Sequence, residues 1–250
     1  MHQLGQTRSV HRQDHAVFTA DTFVRAPLPG MQRATAIVHA APQMGAGFTQ
    51  YTAEVEAGGR LGDLPASCER FLYILDGNVR VEFSGEQHTL AKGGYAYIPA
   101  QFHHSAAAIS EARAAVIEKR YLPLAGAMAG APPPAAFTGR ESALASEPLE
   151  GDETMAVRHL LPDDFAFDCA VNTMTYQPGA SLPMVEIHVM EHGLLMLEGG
   201  GIYRLGEHWY PVAAGDFIWM APYCPQWFGA LGKVPAKYLI YKDWNRHPIG

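Results

Sequence analysis

Several features that would place this chain in a specialised class are scarce in its sequence. Cysteine occurs only 3 times in 250 residues, at Cys68, Cys169 and Cys224. These cysteines are odd in number and far apart, so they form neither a CxxC metal pair nor a recognisable disulfide framework. This pattern agrees with a reducing cytosol, and we expect a cytoplasmic protein.

Long apolar runs and an excess of positive charge are also missing. The N-terminus is polar and lacks the apolar core of a secretory signal, and no uninterrupted apolar run approaches membrane-spanning length. Charged residues make up only 17% of the chain, and the net charge is -7. A negative chain is poorly suited to general electrostatic binding of nucleic acid. We therefore expect no membrane and no nucleic-acid partner.

Glycine (25) and proline (18) instead separate many short apolar segments. Residues 71–75, 79–83 and 95–98 are apolar or alternate between apolar and polar, and a turn residue follows each of them. Short strands punctuated this evenly are typical of β-sandwiches and β-barrels. The sequence therefore predicts an all-β fold.

The second half of the chain repeats the first at a shift of 122 residues. Glycines and strand segments coincide without a gap, and the matched pairs include Gly77 with Gly199, Gly93 with Gly215, and His104 with Gln226. Such duplication predicts two similar β-units in one chain. We expect a lead-in over residues 1–45, an N-terminal barrel over 46–121, an Ala-, Gly- and Pro-rich linker over 122–152, and a C-terminal barrel over 153–250.

Residues 186–192 of the second unit carry a dense set of metal-type side chains. Glu186, His188 and His192 stand an even number of positions apart, so on a β-strand they share one face. On a helix only His188 and His192 would pair. One such histidine is more often a hydrogen-bonded core residue, but a carboxylate with two imidazoles is costly to bury unpartnered and suits a divalent metal ion. We predict a metal site on a strand.

The same shift indicates which unit carries the site. It places Leu64, Ala66 and Arg70 at the three ligand positions of the first unit, so that only His104 has a ligand-type side chain there. One imidazole does not make a metal site. We therefore predict that the first unit has lost its metal ligands and that His104 lies at a polar barrel mouth.

Gln226 is the predicted fourth ligand. It follows Gly215 by the same interval that separates His104 from Gly93, so it should return to the same side of the barrel. Its amide oxygen can bind a hard or borderline cation. Two imidazoles, one carboxylate and one amide oxygen leave about two positions of a six-coordinate ion open, which suits Mn²⁺ or Fe²⁺ better than zinc. Cys224, nearby, is predicted to be a buried neutral thiol.

The last predicted strand adds candidates for contact with a substrate. Tyr238, Ile240 and Lys242 alternate along residues 237–243 and so share one face. If this face looks into the barrel, Lys242 needs a carboxylate partner or an anionic substrate. If the strand ends there, Lys242 reaches solvent, and the spacing does not choose. Tyr203, after Gly201, is a further cavity candidate.

Two β-units, each with a glycine-bounded first motif and a second motif led by Gly and Pro, resemble a bicupin. The order of the first-motif ligands is exchanged relative to the usual cupin pattern, with Glu first and His last, and the second motif ends in Gln226 instead of His. This set is similar to that of the (S)-ureidoglycine aminohydrolase family. Further matching segments are residues 41–46, 191–193, 225–227, 241–243 and 245–246.

The resemblance extends from about Val38 to the C-terminus and implies a fold of two jelly-roll β-barrels. It also implies a purine-catabolic hydrolase that uses Mn²⁺ to convert (S)-ureidoglycine into (S)-ureidoglycolate and ammonia. The positions implied as metal ligands are Glu186, His188, His192 and Gln226, and those implied as substrate contacts are Glu186, Gln226, Tyr238 and Lys242. Tyr238 and Lys242 are the implied catalytic residues, and the family forms homo-oligomers.

Two other functions remain open from the residues themselves. Two histidines and a carboxylate around Fe²⁺ would also permit oxygen chemistry in a cupin dioxygenase. A non-catalytic cupin that binds a ligand is the other alternative, although the sequence has no recognisable DNA-binding helix pair. The bicupin outline alone is compatible with many functions.

Overall fold

The computed structural model describes residues 7–124 and 134–246 and divides the chain into two compact units. The first unit comprises residues 24–144 and 164–168, and the second comprises the described parts of residues 1–23, 145–163 and 169–250. Both units are built from β-strands, which confirms the predicted all-β class. The described helices are short 3₁₀ turns at Ala20–Thr22, Pro42–Met44 and Glu141–Ala143. Within the same ranges no helix has the length and apolarity to cross a membrane.

The strands are numbered along the chain. The earlier ones are β1 (Val10–His11), β2 (His15–Phe18), β3 (Arg25–Ala26), β4 (Gln32–Ala40), β5 (Thr49–Arg60), β6 (Cys68–Asp76), β7 (Asn78–Phe83), β8 (Glu86–Ala91), β9 (Gly94–Ile98), β10 (His104–Ala108), β11 (Ala112–Arg120) and β12 (Phe137–Arg140). The later ones are β13 (Glu147–Leu149), β14 (Asp152–His159), β15 (Cys169–Tyr176), β16 (His192–Glu198), β17 (Gly200–Leu205), β18 (His208–Ala213), β19 (Phe217–Met220), β20 (Gln226–Ala230) and β21 (Ala236–Asp243).

The first unit is a single curved sheet with the strand order β12-β9-β6-β11-β5-β10-β7-β8, to which β3 and β4 are added beside β5. Every pairing in it is antiparallel. Its interior is filled by apolar side chains from alternating strand positions, including Leu72, Ile74, Val81 and Val116. This inward and outward alternation is the pattern from which the strands were predicted.

The second unit has two sheets. One has the order β1-β2-β19-β16-β21-β15-β14-β13, and the other has the order β18-β17-β20. Its core includes Leu194, Ile218, Phe228 and Tyr238, all nearly inaccessible to solvent. The predicted closing strand over residues 237–243 is present as β21, which pairs with both β15 and β16.

The strand boundaries reproduce the sequence repeat. A shift of 122 residues carries β7 onto β17, β8 onto β18 and β10 onto β20, residue for residue. Gly77 and Gly199 occupy the same place, directly before β7 and β17, with φ angles of +74° and +63°. A Cβ at either position would come within 2.5 Å of a backbone carbonyl oxygen, at 2.1 Å from that of Glu111 or 2.4 Å from that of Pro235. Only glycine combines a positive φ with so close an approach.

The region predicted as a lead-in, residues 1–45, is divided between the two units. Its first part forms β1 and β2 of the second unit, where β2 pairs with β19 and Val17 is fully buried. Arg8 continues this attachment through an ion pair with Asp216, 2.7 Å between Nη1 and Oδ2. β3 and β4 belong to the first unit, and residues 1–6 lie outside the described residues. An open edge at β19 favours capture of any strand that can pair with it.

The region predicted as a linker, residues 122–152, also contributes strands, and its residues 125–133 lie outside the described residues. β12 pairs with β9 in the first unit, and β13 pairs with β14 in the second. Because β9 and β19 are equivalent under the repeat, both units cover the same edge strand, one with β12 and the other with β2. The composition of a segment does not reveal such pairing.

Candidate functional site

A cavity of about 140 Å³ in the second unit gathers every residue predicted for the site. The predicted residues that line it are Glu186, His188, His192, Tyr203, Gln226, Tyr238 and Lys242. They come from the segment before β16, from β16 itself, and from β17, β20 and β21. Antiparallel pairing brings these elements together although they are up to 56 residues apart in sequence.

Glu186 and His188 do not lie on a β-strand, so the prediction of a strand through the metal-type residues was wrong. β16 begins only at His192, and the residues before it are irregular apart from isolated bridges. Glu186 forms one such bridge with Gln226: each backbone amide donates to the other residue's carbonyl, at 2.8 and 2.9 Å. The amide of Tyr223 donates to the His188 carbonyl at 2.8 Å. Backbone hydrogen bonds to residues distant in sequence therefore bring these side chains to the cavity, and strand alternation does not.

His188 and His192 lie in contact with each other in the cavity wall. Their Nε2 atoms lie 3.1 Å apart, and the ring planes are inclined by 74° with centroids 4.7 Å apart. Burial lowers the pKa of His188, and it lowers the pKa of His192 well below the ordinary value, with the neighbouring His188 contributing in the same direction. Neutral imidazoles keep a free lone pair, which is the form that binds metals.

Gln226 completes this cluster at the start of β20. Its amide nitrogen lies 2.6 Å from His188 Nε2, and its carbonyl oxygen accepts a hydrogen bond from the Tyr203 hydroxyl at 3.3 Å. A half-turn of the carboxamide exchanges these two ends, so the oxygen can face the histidines. Gln226 is buried, 3% exposed.

The donors present fit a divalent metal ion. Two ring nitrogens lie 3.1 Å apart, an amide lies within hydrogen-bond distance of one of them, and Glu186 lines the same cavity. The pKa of Glu186 is raised chiefly by burial, with a further contribution from Glu150. A partly buried carboxylate beside neutral imidazoles gains most from a cation. Nitrogen and oxygen donors without a thiolate suit a hard or borderline divalent ion.

Lys242 and Tyr238 line the cavity from β21. Burial lowers the pKa of Lys242, whereas Glu186 acts to raise it. The Lys242 ammonium also lies 4.3 Å from the centre of the Trp244 ring, within reach of a cation–π interaction. Tyr238 is buried, and its hydroxyl lies 2.9 Å from that of Tyr176. Burial raises the pKa of Tyr238 well above its ordinary value, so this phenol is a hydrogen-bonding group at neutral pH.

Cys224 is buried and forms no disulfide. Burial raises the pKa of the Cys224 thiol to about 11. The thiol is therefore protonated at neutral pH, in agreement with the expectation of a neutral side chain and not of a metal-binding thiolate.

At the equivalent place in the first unit, a guanidinium stands where the second unit has His192. Arg70 donates from Nη1 to Nε2 of His104 at 2.8 Å and from Nη2 to the Gly62 carbonyl at 2.9 Å. Its Nε and Nη2 contact the same oxygen of Glu118 at 2.8 and 2.7 Å. Tyr51 donates to that oxygen at 2.8 Å. His104 therefore pairs with a permanent positive charge of the protein.

Two polar residues of the cavity wall were missed by the sequence reasoning. Asn172 and Tyr176 lie on the same face of β15 and both line the cavity. The alternation of residues 170–176 contained the signal, because Asn172, Met174 and Tyr176 are two positions apart. The direction of that face became apparent only from the pairing of β15 with β21.

Comparison with known families agrees with the two-unit architecture. Residues 43–121 match the EutQ-like cupin domain, and residues 172–241 match the cupin domain. These spans correspond to the two sequence repeats, so the bicupin interpretation is confirmed.

Two similar proteins carry the same enzyme name. The (S)-ureidoglycine aminohydrolase of Arabidopsis thaliana is 40% identical over 248 residues, which cover 98% of this chain and 80% of the relative. The (S)-ureidoglycine aminohydrolase of Escherichia coli K12 is 31% identical over 242 residues, covering 95% and 91%. Among solved structures, the putative glyoxylate-induced protein of Pseudomonas aeruginosa superposes with a TM-score of 0.89 at 30% identity, covering 99% of this chain and 94% of that one.

Proposed function

Because the chain belongs to the (S)-ureidoglycine aminohydrolase family, we propose that it hydrolyses (S)-ureidoglycine with the side chains of the second-unit cavity. In the net reaction the bond between the central carbon and the amine nitrogen breaks, and a bond from that carbon to a water oxygen forms. The products are (S)-ureidoglycolate and ammonia. The activity would serve purine catabolism, in which such ureides are degraded.

One observation carries this proposal: a metal-type cluster and a partly buried ammonium share a single small cavity. (S)-Ureidoglycine carries an amine, a ureido group and a carboxylate on one carbon. Its carboxylate requires a cationic partner, and Lys242 supplies a positive charge that is costly to bury alone. Holding three different substituents at once explains the selection of one enantiomer.

We assign the metal-holding role to Glu186, His188, His192 and Gln226, with Mn²⁺ as the preferred ion and Fe²⁺ as the nearest substitute. A bound divalent ion supplies positive charge that polarises the substrate and lowers the pKa of adjacent water. The support is the donor set itself, which combines two neutral imidazoles with a carboxylate and an amide. Four protein donors leave about two positions of a six-coordinate ion for ligands from solution.

The remaining roles fall to side chains that surround this cluster. Lys242 binds the substrate carboxylate and can pass a proton to the departing ammonia. Tyr238 is held by its contact with Tyr176 and presents a phenol O–H for hydrogen bonding. Tyr203 contacts Gln226 and orients its carboxamide, in addition to forming part of the substrate wall.

Assembly into a homo-oligomer is part of the same proposal. Met184 and Ile187, in the segment that carries Glu186 and His188, are 63% and 62% exposed. Apolar side chains this exposed beside a functional segment gain free energy when a second copy covers them. Sedimentation of the metal-loaded protein should give a mass that is a multiple of 27.2 kDa, whereas a monomer at micromolar concentration would contradict the assignment.

The test is ammonia release from freshly generated (S)-ureidoglycine by protein stripped of metal and then reloaded with Mn²⁺. We expect release only after reloading, with one (S)-ureidoglycolate formed for each ammonia. His188→Ala should lose both metal and activity because it removes a central donor. His104→Gln, which copies the second-unit residue at the equivalent first-unit position, is the matched control and should retain both.

Other outcomes would point to other functions. Oxygen consumption in the Fe²⁺-loaded protein without ammonia release would favour a cupin dioxygenase. Ligand binding without turnover in folded, metal-loaded protein would favour a non-catalytic binding cupin. Either result would refute the hydrolase proposal and leave the bicupin fold unaffected.

A further inference from the structure

We infer that Asn172 is a further specificity-determining residue of this cavity, and that its side-chain carbonyl accepts a hydrogen bond from the ureido group of the substrate. The inference rests on the proposed function and adds to it a protein contact for the ureido group. Asn172 lies near the middle of β15 and is only 3% exposed. Its side chain lines the cavity.

The side-chain oxygen of Asn172 has no hydrogen-bond partner among the described residues. A buried carbonyl without a partner costs about 1–3 kcal/mol, so such groups are rare unless they serve a ligand. Its cross-strand neighbour on β21 is the apolar Ile240, and Met174 is next on its own face. Its neighbour on β14, His159, has an exposed side chain and makes no hydrogen bond to this oxygen. The Asn172 side-chain oxygen can therefore accept a hydrogen bond from a ligand bound in the cavity.

The strand register fixes where Asn172 stands relative to the charged end of the site. On β21, Lys242 pairs with Ala170, Ile240 with Asn172, and Tyr238 with Met174. Asn172 thus lies one row from Lys242 and one row from Tyr238, which corresponds to about 7 Å along the strand in each direction. A small ligand whose carboxylate is bound by Lys242 can present its other end to Asn172.

The chemistry of that other end matches an acceptor. A ureido group has N–H donors on both sides of its carbonyl, and the terminal NH₂ needs an acceptor when it is removed from water. The other hydroxyls of the cavity already have partners, since Tyr203 contacts the Gln226 carboxamide and Tyr176 contacts Tyr238. Asn172 therefore provides a free acceptor for the N–H groups of the ureido group.

The test compares two ligands in the Mn²⁺-loaded protein and in Asn172→Leu, an apolar replacement of similar shape. (S)-Ureidoglycolate carries the ureido group, whereas oxalate carries carboxylates without it. We expect Asn172→Leu to bind (S)-ureidoglycolate about tenfold more weakly, the effect of one lost hydrogen bond, and to bind oxalate, which does not make this bond, within about twofold of the original protein. For turnover of (S)-ureidoglycine, the loss should appear mainly in KM.

The melting temperature of the variant separates a ligand-binding role of Asn172 from a purely structural one. Replacing an unpartnered buried carbonyl by an apolar group should leave the melting temperature unchanged or raise it, whereas loss of a structural hydrogen bond should lower it. Asn172→Ala removes the same oxygen with no added bulk and serves as the second variant if leucine impairs folding. Its affinity for (S)-ureidoglycolate should fall in the same direction.

The outcomes separate this inference from the proposed function. If the original protein releases ammonia but the variants bind both ligands unchanged, or lose both equally, the role of Asn172 is overturned and the hydrolase proposal stands. If the original protein neither releases ammonia nor binds (S)-ureidoglycolate, the proposed function fails and this assignment fails with it. Selective loss of (S)-ureidoglycolate binding supports both.

Discussion

Replacing Arg70 by methionine should destabilise the first unit by about 3 kcal/mol, because the guanidinium is almost inaccessible and has three kinds of partner. The side chain is 4% exposed and bonds to Glu118, His104 and the Gly62 carbonyl. Removing one member of a buried ion pair costs about 3–5 kcal/mol, since the other charge is left behind. The lower end applies because the Glu118 side chain is 19% exposed and keeps the Tyr51 hydroxyl.

Urea unfolding can measure this change. With a slope of about 2 kcal/mol per molar urea, a loss of 3 kcal/mol moves the midpoint down by about 1.5 M. Far-UV circular dichroism follows strands of both units, whereas intrinsic tryptophan fluorescence reports the second unit, because all 4 tryptophans lie in its residues. The change should therefore be read from circular dichroism, with tryptophan fluorescence recorded alongside.

The matched control is Glu118→Gln, made alone and together with Arg70→Met. In the double variant no unpaired buried charge remains, so it should be less destabilised than Arg70→Met alone. The reasoning is refuted if Arg70→Met moves the midpoint by less than about 0.5 M, or if the double variant is no more stable than the single one.

The same variant carries a pH signature. Burial and then the Arg70 charge lower the pKa of His104 to about 4 from its ordinary value of 6.5. The resulting stability is present above about pH 6.5 and is lost as the pH falls toward 4, because the unfolded chain is protonated first. Arg70→Met removes one of these causes and raises the pKa of His104. The gap in unfolding free energy between the original protein and the variant should therefore narrow as the pH falls through this window.

Three further predictions concern the second unit. Lys242→Met should reduce turnover at least about 100-fold while leaving the metal content intact; turnover close to the original would remove Lys242 from the mechanism. Metal analysis should find one Mn²⁺ per chain, since the first unit has Arg70 in place of a ligand; two equivalents that survive dialysis would contradict this reading. Val17→Ala should cost about 2 kcal/mol because the side chain is fully buried, and an unchanged tryptophan-fluorescence transition would show that β2 contributes little.

The sequence by itself specified the repeat and most of the candidate site. The 122-residue shift aligned strands whose observed boundaries coincide, since turn glycines such as Gly77 and Gly199 are required by local backbone geometry. Residue chemistry and the family resemblance together identified the seven side chains that the structure gathers around one cavity, since spacing alone left Lys242 between the cavity and solvent. Carboxylate, imidazole and ammonium groups are recognisable without coordinates, because each needs a partner when it is buried.

The tertiary structure alone decided which distant segments pair. β2 covers β19 from about 200 residues away, and β12 covers the equivalent strand β9. Glu186 reaches the cavity through its bridge to Gln226 and not through a strand of its own, and Asn172 faces it because β15 lies beside β21. Side-chain periodicity reports whether a segment is extended and which residues share a face, but the partner strand is set by packing and by the need to close open sheet edges.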